Sequence, residues 1–409
     1  MASLNGNLSQ RGEVFATPTS KMPMLDVVND LWHAETNPDG YISLGVAENT
    51  LMHKELIEHI TKNFSLDSHA LTAGDGFTGS HRLRNTLARF INRNFSPFED
   101  IIKDQVIVTS GVGQAIELSG FALCDKGNGV LLARPHYGNF PIDLGYRVEA
   151  KIIGVSFGDV DPFSIETIVY YEKALEEAEQ QGIRVRVFLL CNPHNPLGRC
   201  YTPEVLKAYM QFCQKHNLHL ISDEDFGSCG IRIGCLISRN KAFLRACEAN
   251  SYFSSPSSLA DLATARILAD DAFIESYIKT NRLRLAENYE LTTKFLSSHQ
   301  IPHKEGSNAG LFVWADLFQP LRAQVDATLQ NQKEHEEGSE EALRTLETSL
   351  QENLLKHKIF LALGADFGSD VPGWFRIVFA HEKTYLHLGL ERMIKAIEAF
   401  RGRFEEDRV

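Results

Sequence analysis

Three residues that could contact a flat ligand stand just past short apolar runs of the sequence. Tyr137 comes after "GVLLARP", Asn195 after "RVFLLC", and Asp223 ends "LHLISD". A tyrosine ring can stack on a planar cofactor, an asparagine amide can donate a hydrogen bond to it, and a carboxylate can keep a ring nitrogen protonated. Taken singly, each could instead be a packed aromatic, a turn former or a cap. Their shared position after strand-like runs favours one ligand site.

An anion site is indicated by "VIVTSGVGQAIELSGFAL", in which a strand, a glycine turn and a helix follow one another. The start of such a helix presents free backbone N–H groups and a positive dipole end. Arg232, in "GIRIG", could add a guanidinium fork. A dinucleotide fold competes for this motif. It requires a third glycine near Ile116 and an acidic end to the second strand, where Arg134 and Pro135 stand instead. A turn without a ligand stays a further alternative.

The elements that must position these residues follow from the alternation of the sequence. From about residue 105, short apolar runs alternate with helical patterns, which predicts an α/β fold with a largely parallel sheet covered on both faces. Ligands of such sheets lie at the carboxyl ends of the strands. After Phe273, long helical stretches and the runs "GLFVWADL" and "WFRIVFA" predict a smaller α+β domain. The predicted divisions are 1–55 and 281–409 for the smaller domain and 56–280 for the large one.

Composition limits the partners. The chain has 409 residues, 41 basic and 53 acidic, with a net charge of −12, which disfavours nucleic acid and an anionic membrane surface. Seven cysteines without a C-x-x-C pair fit reduced thiols better than disulfides or a metal site. No window approaches the roughly 20 apolar residues of a membrane span. We expect a soluble, cytoplasmic protein without a metal.

Four motifs give the chain a family resemblance: "LGVAENTL", "GDGFTGSHRLR", "SNAGLFVWADL" and "PGWFRIVFA". They are similar, in the same order, to those of fold-type I pyridoxal 5'-phosphate (PLP) enzymes of the class I/II aminotransferase family, most of all its 1-aminocyclopropane-1-carboxylate (ACC) synthase-like branch. The similarity runs from about residue 25 to 400. It implies that the backbone N–H groups of Val112 and Gly113 hold the PLP phosphate together with Arg232.

The resemblance implies five further contacts. Tyr137 stacks on the pyridine ring, Asn195 bonds its phenolic oxygen, and Asp223 pairs with its nitrogen. Arg376, inside the apolar run "WFRIVFA", binds the α-carboxylate of an amino-acid substrate as a bidentate fork. Glu48 lies near the substrate amine, although an ordinary acid at a helix start is an equal alternative.

One family element has no counterpart between Glu224 and Asp225. In the family, a strand ending in Asp-Glu is followed by a tyrosine, a helix and a strand ending in the Schiff-base lysine, whereas here Glu224 runs into "DFGSCGIRIG". One internal strand, with its crossover on the order of 30 residues, is therefore expected to be absent. Lys215 and Lys241 should lie roughly 20 Å from the cofactor end of the sheet, beyond side-chain reach. Phe77 stands where many relatives place a phosphate-binding tyrosine.

Three interpretations follow, and in the first two PLP binds without a covalent bond to this chain. In the first, the natural protein is an ordinary enzyme acting on an α-amino acid by transamination or by C–S or α,γ-elimination, and this chain lacks a segment through exon skipping or a gene-model error. In the second, the chain is a pseudoenzyme or an inactive dimer partner of the same fold. The third is a dinucleotide-linked reductase. The resemblance also implies a homodimer.

Overall fold

The computed structural model describes residues 8–16, 23–72, 74–224, 229–331 and 336–406, and short strands alternate with helices along them. The strands are β1 Ile42–Ser43, β2 Val106–Thr109, β3 Gly129–Ala133, β4 Lys151–Val155, β5 Val185–Cys191, β6 His219–Asp223, β7 Gly234–Ile237, β8 Phe312–Asp316, β9 Ile359–Phe360, β10 Ala362–Leu363 and β11 Trp374–Val378. The helices are α1 Gln10–Ala16, α2 Pro23–Asn29, α3 His53–Asn63, α4 His81–Phe95, α5 Val112–Leu123, α6 Phe140–Gly145, α7 Thr167–Gln180, α8 Pro203–Lys215, α9 Lys241–Asn250, α10 Ser258–Ala269, α11 Asp271–Ser298, α12 Arg322–Asn331, α13 Glu336–Lys356 and α14 Lys383–Glu406.

The large sheet is divided into two pieces. Four parallel strands have the order β4-β3-β5-β6, and β2 pairs with β7 in an antiparallel ladder. Helix α5 packs against β2, β7 and β5, so one helix covers both pieces. Strand β3 is buried along its whole length, and β5 is buried except at Arg186 and Cys191, as expected for a parallel sheet covered by helices.

The interruption lies between β6 and β7, and we call it the slot. Within the described residues, β6 pairs only with β5, and β7 pairs only with β2. Leu220 on β6 and Ile237 on β7 are 36% and 38% exposed. Leucine and isoleucine side chains on the strands of a covered sheet are usually buried. The prediction of an α/β fold is confirmed, and within the described residues no strand pairs with the open edge of β6 or of β7.

A second core joins the two ends of the chain. Ile42 and Leu44 pack in one cluster with apolar residues between 296 and 400. The antiparallel sheet β10-β11-β8 and the parallel pair β1-β9 line this cluster. On α13, Leu350 and Leu354 are fully buried there, as expected for the apolar face of an amphipathic helix. The division at residues 55 and 280 stays a prediction.

The described part of the chain has three further properties that bear on function. No helix in it is both long enough and apolar enough to cross a bilayer. No group of three or more His, Cys, Asp or Glu side chains is placed to hold a metal ion. The six cysteines whose side chains are described are free thiols.

Candidate functional site

The first turn of α5 and Arg232 form a pocket of hydrogen-bond donors that we call the cradle. Gly111 precedes the helix with φ +90° and no side-chain cap, so the first N–H groups of α5 have no intrahelical acceptor. Arg232 lies directly over this glycine, and its Nη2 donates to the carbonyl oxygen of Ser110 over 3.3 Å. A Cβ on Gly111 would come within 2.6 Å of Arg232 Nη2. Only glycine therefore permits this approach of guanidinium and helix end.

The second piece of the sheet closes the cradle from the other side. Thr109, which ends β2, is paired with Gly234, which begins β7. A Cβ on Gly234 would lie 2.5 Å from the backbone nitrogen of Val112. The short turn before β7 thus brings Arg232 to the helix start, although the two are far apart in sequence. The structure therefore brings Val112, Gly113 and Arg232 together.

Arg376 occupies a buried position between the two sheets. It is 4% exposed and lies in β11, flanked by β10 and β8. Its Nη1 donates to Asn195 Oδ1 over 2.9 Å, and its Nη2 donates to the carbonyl oxygen of Gly45 over 2.6 Å. The guanidinium carbon lies 4.7 Å from the ring centre of Phe367 and 5.0 Å from that of Phe312. These contacts hold the guanidinium plane in one orientation.

Asp223 lies at the carboxyl end of β6, opposite Cys191 of β5. The Cys191 thiol points at Asp223 Oδ2 over 3.7 Å and donates to the carbonyl oxygen of Pro193 over 3.2 Å. The backbone nitrogen of Asn192 donates to the carbonyl oxygen of Asp223 over 2.9 Å. Backbone pairing and a weak thiol contact therefore fix the position of this carboxylate.

Tyr137 connects the cradle with the other predicted residues. Burial raises the pKa of its hydroxyl, Arg376 lowers it, and the carboxylates of Asp143 and Asp223 raise it further. Asn139 Nδ2 donates to the Tyr137 hydroxyl over 3.0 Å. The hydroxyl is thus within electrostatic range of Arg376 and Asp223, and the ring packs edge-on against the buried Phe140.

Glu48 stands apart from this group. Its side chain is exposed. Burial raises the pKa of Tyr385, the hydrogen bond from the Ser43 N–H lowers it, and the charge of Glu48 raises it further. Glu48 lies three residues after Gly45, whose carbonyl oxygen accepts a hydrogen bond from Arg376. The structure brings the segment, but not the carboxylate itself, into hydrogen-bond contact with Arg376.

Two residues next to the site escaped the sequence analysis. Asp143 lies on α6, and a Cβ on Gly113 would come within 3.1 Å of its Oδ1. Cys191 lies beside Asp223. The sequence offered one signal for each residue. Asp143 is the acid in "PIDLG", six residues after Tyr137, and Cys191 is a thiol at the end of an apolar strand.

These residues fit PLP in part. Helix N–H groups and a guanidinium suit a phosphate, and the Asp223 carboxylate suits a pyridine nitrogen. No lysine occurs between residues 216 and 240. Lys215 pairs with Glu172 over 2.7 Å, and Lys241 follows the end of β7 that pairs with Val106, away from the cradle. The phosphate and ring sites therefore fit, but no amine for a covalent bond to the cofactor accompanies them.

The fold and this arrangement are those of a family of PLP-dependent enzymes. The family description "Aminotransferase class I and II" matches residues 39–224 and 225–393, and the chain belongs to that family. The match is interrupted between Glu224 and Asp225, the junction at which the sequence analysis placed the missing segment.

Named relatives belong to the ACC synthase-like branch. The chain is 28% identical to 1-aminocyclopropane-1-carboxylate synthase-like protein 1 of Takifugu rubripes, over 91% of this chain and 64% of the relative. It is 28% identical to 1-aminocyclopropane-1-carboxylate synthase 4 of rice, over 91% and 85%. A mouse relative, 28% identical over 89% and 67%, is named a probable inactive 1-aminocyclopropane-1-carboxylate synthase-like protein 2. The chain thus spans less than two thirds of the first of these proteins.

Solved structures agree on the fold. Aspartate aminotransferase from Thermus thermophilus with maleate superposes with a TM-score of 0.70 at 19% identity, over 95% of this chain and 99% of that one. An aromatic aminotransferase from Pyrococcus horikoshii gives 0.65 at 16% identity, over 92% and 99%. Both likenesses concern the fold alone.

Proposed function

We propose that this chain is an ACC synthase-like aminotransferase that binds PLP without a covalent bond and holds an α-amino acid beside it, with little turnover. The observation that supports this most is the placement of Arg232 over Gly111 at the start of α5. A guanidinium and free helix N–H groups converging on one point suit a phosphate monoester. The electrostatic contacts of Tyr137 then connect this point with Asp223 and Arg376.

Each residue has a separate task in this proposal. The N–H groups of Val112 and Gly113, with Arg232, hold the phosphate. Tyr137 and Asp223 orient the ring, and Asp223 keeps a proton on the ring nitrogen. When bound, PLP supplies an electron sink that weakens the bonds of an amino acid at its α-carbon.

The substrate class follows from Arg376. Its guanidinium is buried and held between two aromatic rings, and such a group suits the α-carboxylate of an amino acid. Asn195, which accepts from Arg376 Nη1 over 2.9 Å, positions it and contacts the ring oxygen through its amide. We place Glu48 near the substrate amine, although it is exposed and would have to turn inward.

Low turnover follows from the missing lysine. A general base that moves the α-proton contributes roughly 10²–10⁴ in rate, and among residues 216–240 no lysine occurs. Binding groups remain, so the chain should retain ligand affinity after losing most of its catalytic rate. If no catalytic rate remains, the chain is a catalytically dead protein of the same fold that binds PLP or serves as a dimer partner.

A second candidate is that the complete natural enzyme is an ordinary catalyst and that this chain lacks an internal segment of it. The interrupted family match at Glu224 and Asp225 and the slot between β6 and β7 favour it. Sequencing the mature transcript across this junction tests it: an inserted coding segment ending in a lysine codon supports this candidate. Uninterrupted Glu224 and Asp225 codons in every transcript exclude it.

We also propose a cytoplasmic homodimer, in which the exposed apolar residues around "GDGFTGS" are covered by a second copy. Five of them lie close in the fold, with exposures between 42% and 76%: Leu71, Phe77, Tyr252, Phe253 and Leu259. A contiguous apolar patch of this kind is typical of an interface. Light scattering of the F253D variant should show a monomer where the parent shows a dimer, and a monomeric parent contradicts the proposal.

The proposed cofactor site is tested by PLP titration followed by absorbance and fluorescence. We expect one PLP per chain, with affinity reduced about tenfold or more in Arg232→Gln, as for loss of a charge-assisted bond. Asp223→Asn should shift the absorbance of bound PLP because the ring nitrogen loses its proton. The matched control is Arg239→Gln, because Arg239 binds Glu99 at the surface after β7. Equal PLP affinity in Arg232→Gln, Arg239→Gln and the parent would contradict the site.

A further inference from the structure

Asp143 is a half-buried acid at the edge of the cradle. It lies on α6, and its Oδ1 would be 3.1 Å from a Cβ on Gly113, the second residue of α5. A side chain at Gly113 would press on the carboxyl, so glycine at this position favours its close approach to the helix start. Its other oxygen, Oδ2, is buried and has no hydrogen-bond partner among the described residues. An acid in this position has spare capacity for a ligand.

The charges that surround Asp143 favour its neutral form. Burial raises the pKa of its carboxyl to about 6, and Glu117, further along α5, adds to the shift. Glu117 is itself held by Gln114 and Arg147. Tyr137, in the loop before α6, is the other titratable group in electrostatic contact with Asp143. Arg232 is the cation of the cradle and lies over Gly111, two residues before Gly113.

We propose that Asp143 is a proton-carrying phosphate ligand: its neutral carboxyl donates a hydrogen bond to a phosphate oxygen in the cradle, and its ionised form repels that phosphate. This inference rests on the proposed PLP site and extends it to the charge state of the site. A neutral carboxyl offers one O–H donor, whereas a carboxylate only accepts. The phosphate oxygens are acceptors, so protonation changes the contact from repulsive to attractive.

The sign of the pH dependence follows from linkage. A bound phosphate dianion raises the pKa of Asp143 above its value in the free protein, so binding takes up a proton between those two pKa values. Affinity is therefore highest below about pH 6 and falls as the pH rises. The second ionisation of the phosphate itself, near pH 6, acts in the opposite direction. It acts equally on every variant and cancels in a comparison.

The test is the affinity for PLP between pH 5.5 and 8.0 of the parent and of Asp143→Asn, whose amide donates at every pH. We expect equal affinities at pH 5.5 and an affinity about tenfold higher for Asp143→Asn at pH 7.5, as one unit of pKa linkage gives. The matched control Asp159→Asn, at an exposed acid, should follow the parent. A ratio of Asp143→Asn to parent affinity that does not change with pH overturns the inference while leaving the PLP site intact.

A second measurement compares proton uptake between proteins. Calorimetry at pH 7.0 in buffers of different ionisation enthalpy should show that the parent takes up more protons per bound PLP than Asp143→Asn, because the contributions of the phosphate and of the ring nitrogen are the same in both. Equal uptake overturns the inference, and Asp143→Ser, which keeps a donor but does not titrate, takes the place of Asp143→Asn if that variant fails to fold. Absence of PLP binding at every pH overturns the proposed function and this inference together, and is thereby distinguished from a pH-independent affinity.

Discussion

Arg376 Nη1 donates to Asn195 Oδ1 over 2.9 Å, and this bond connects the antiparallel sheet β10-β11-β8 with the four-stranded parallel sheet. Arg376 belongs to β11 of the antiparallel sheet, and Asn195 lies in the loop after β5 of the parallel sheet. In the proposed function, the first residue holds the substrate and the second holds the cofactor. Their contact therefore couples the two ligand positions.

Replacing Arg376 by lysine should separate substrate binding from cofactor binding. A lysine cannot reproduce the planar fork, and loss of a charge-assisted bidentate contact costs about 1.5–3 kcal/mol. We expect the PLP-loaded Arg376→Lys protein to bind L-alanine at least tenfold more weakly, with PLP affinity within twofold of the parent. Calorimetry of L-alanine with the PLP-loaded protein measures this.

The control for that variant is Arg392→Lys. Arg392 also donates to backbone carbonyl oxygens, those of Gly40 and Lys358, but it makes no contact with Asn195 or Gly45. It should leave L-alanine affinity unchanged. Equal weakening in the two variants would mean that Arg376 acts through the fold and not through the substrate.

The slot should be visible as fast hydrogen exchange. Amides of β6 and β7 that face the slot have no strand partner within the described residues, and such amides exchange by local opening rather than global unfolding. We expect peptides covering β6 and β7 to exchange at least tenfold faster than peptides covering β3 and β5. Protection of β6 equal to that of β3 would show that another segment fills the slot.

Restoring the missing segment should restore covalent cofactor binding. The insertion consists of the residues of rice ACC synthase 4 that align between Glu224 and Asp225, where the family resemblance predicts a strand and the lysine. We expect a strand to fill the slot, the unfolding temperature to rise by several degrees because unpaired backbone groups gain partners, and borohydride to fix PLP to the chain. The same insertion with its lysines changed to alanine is the control.

The result of that experiment distinguishes two explanations of the slot: a segment missing from this chain, or a fold that has adapted to its absence. Stabilisation by both insertions, with fixation of PLP by the lysine form alone, supports the missing-segment account. If neither insertion stabilises the fold, β6 and β7 have adapted to each other, and the segment is not missing in the structural sense.

Two buried histidines should make the protein sensitive to mild acid. Burial lowers the pKa of His194 to about 3, with His136 adding to the shift, and burial next to His53 lowers that of His381 to about 4. Both are neutral in the folded protein, whereas the unfolded chain gains protons below about pH 6.5. Stability is therefore lost as the pH falls below that value, by about 2 kcal/mol per histidine at pH 5.

Urea unfolding between pH 5 and 7.5 measures this loss. The double variant His194→Asn, His381→Asn should lose less stability on acidification than the parent, whatever its stability at pH 7.5. His387→Asn, at an exposed histidine of α14, is the control and should keep the slope of the parent. An unchanged slope in the double variant would assign the acid sensitivity to other groups.

The sequence predicted the strands of the parallel sheet because each is a short apolar run ended by polar residues. The adjacency of the family motifs on the two sides of Glu224 also predicted an interruption of the sheet there, and β6 and β7 each pair with one strand among the described residues. It did not predict that β7 would pair antiparallel with β2, because periodicity within a run contains no information on the pairing partner.

Site residues that depend on long-range packing were less accessible. The Arg376 guanidinium lies between the rings of Phe312 and Phe367. The three residues belong to different segments of the chain, so no local pattern in the sequence predicts their contact. Asp143 approaches the start of α5 beside Gly113, which has no side chain, and neither sequence motif indicates this contact between two helices. Glu48 shows the reverse case, since its motif suggested a site residue and its side chain is exposed.

Non-covalent binding of PLP in the cradle is tested most directly by native mass spectrometry before and after borohydride treatment. We expect one PLP mass per folded chain, and its loss on denaturation with or without prior borohydride treatment. Failure to observe any PLP adduct under native conditions would contradict the binding site. A single PLP that stays attached to one lysine after borohydride and denaturation would contradict the non-covalent mode.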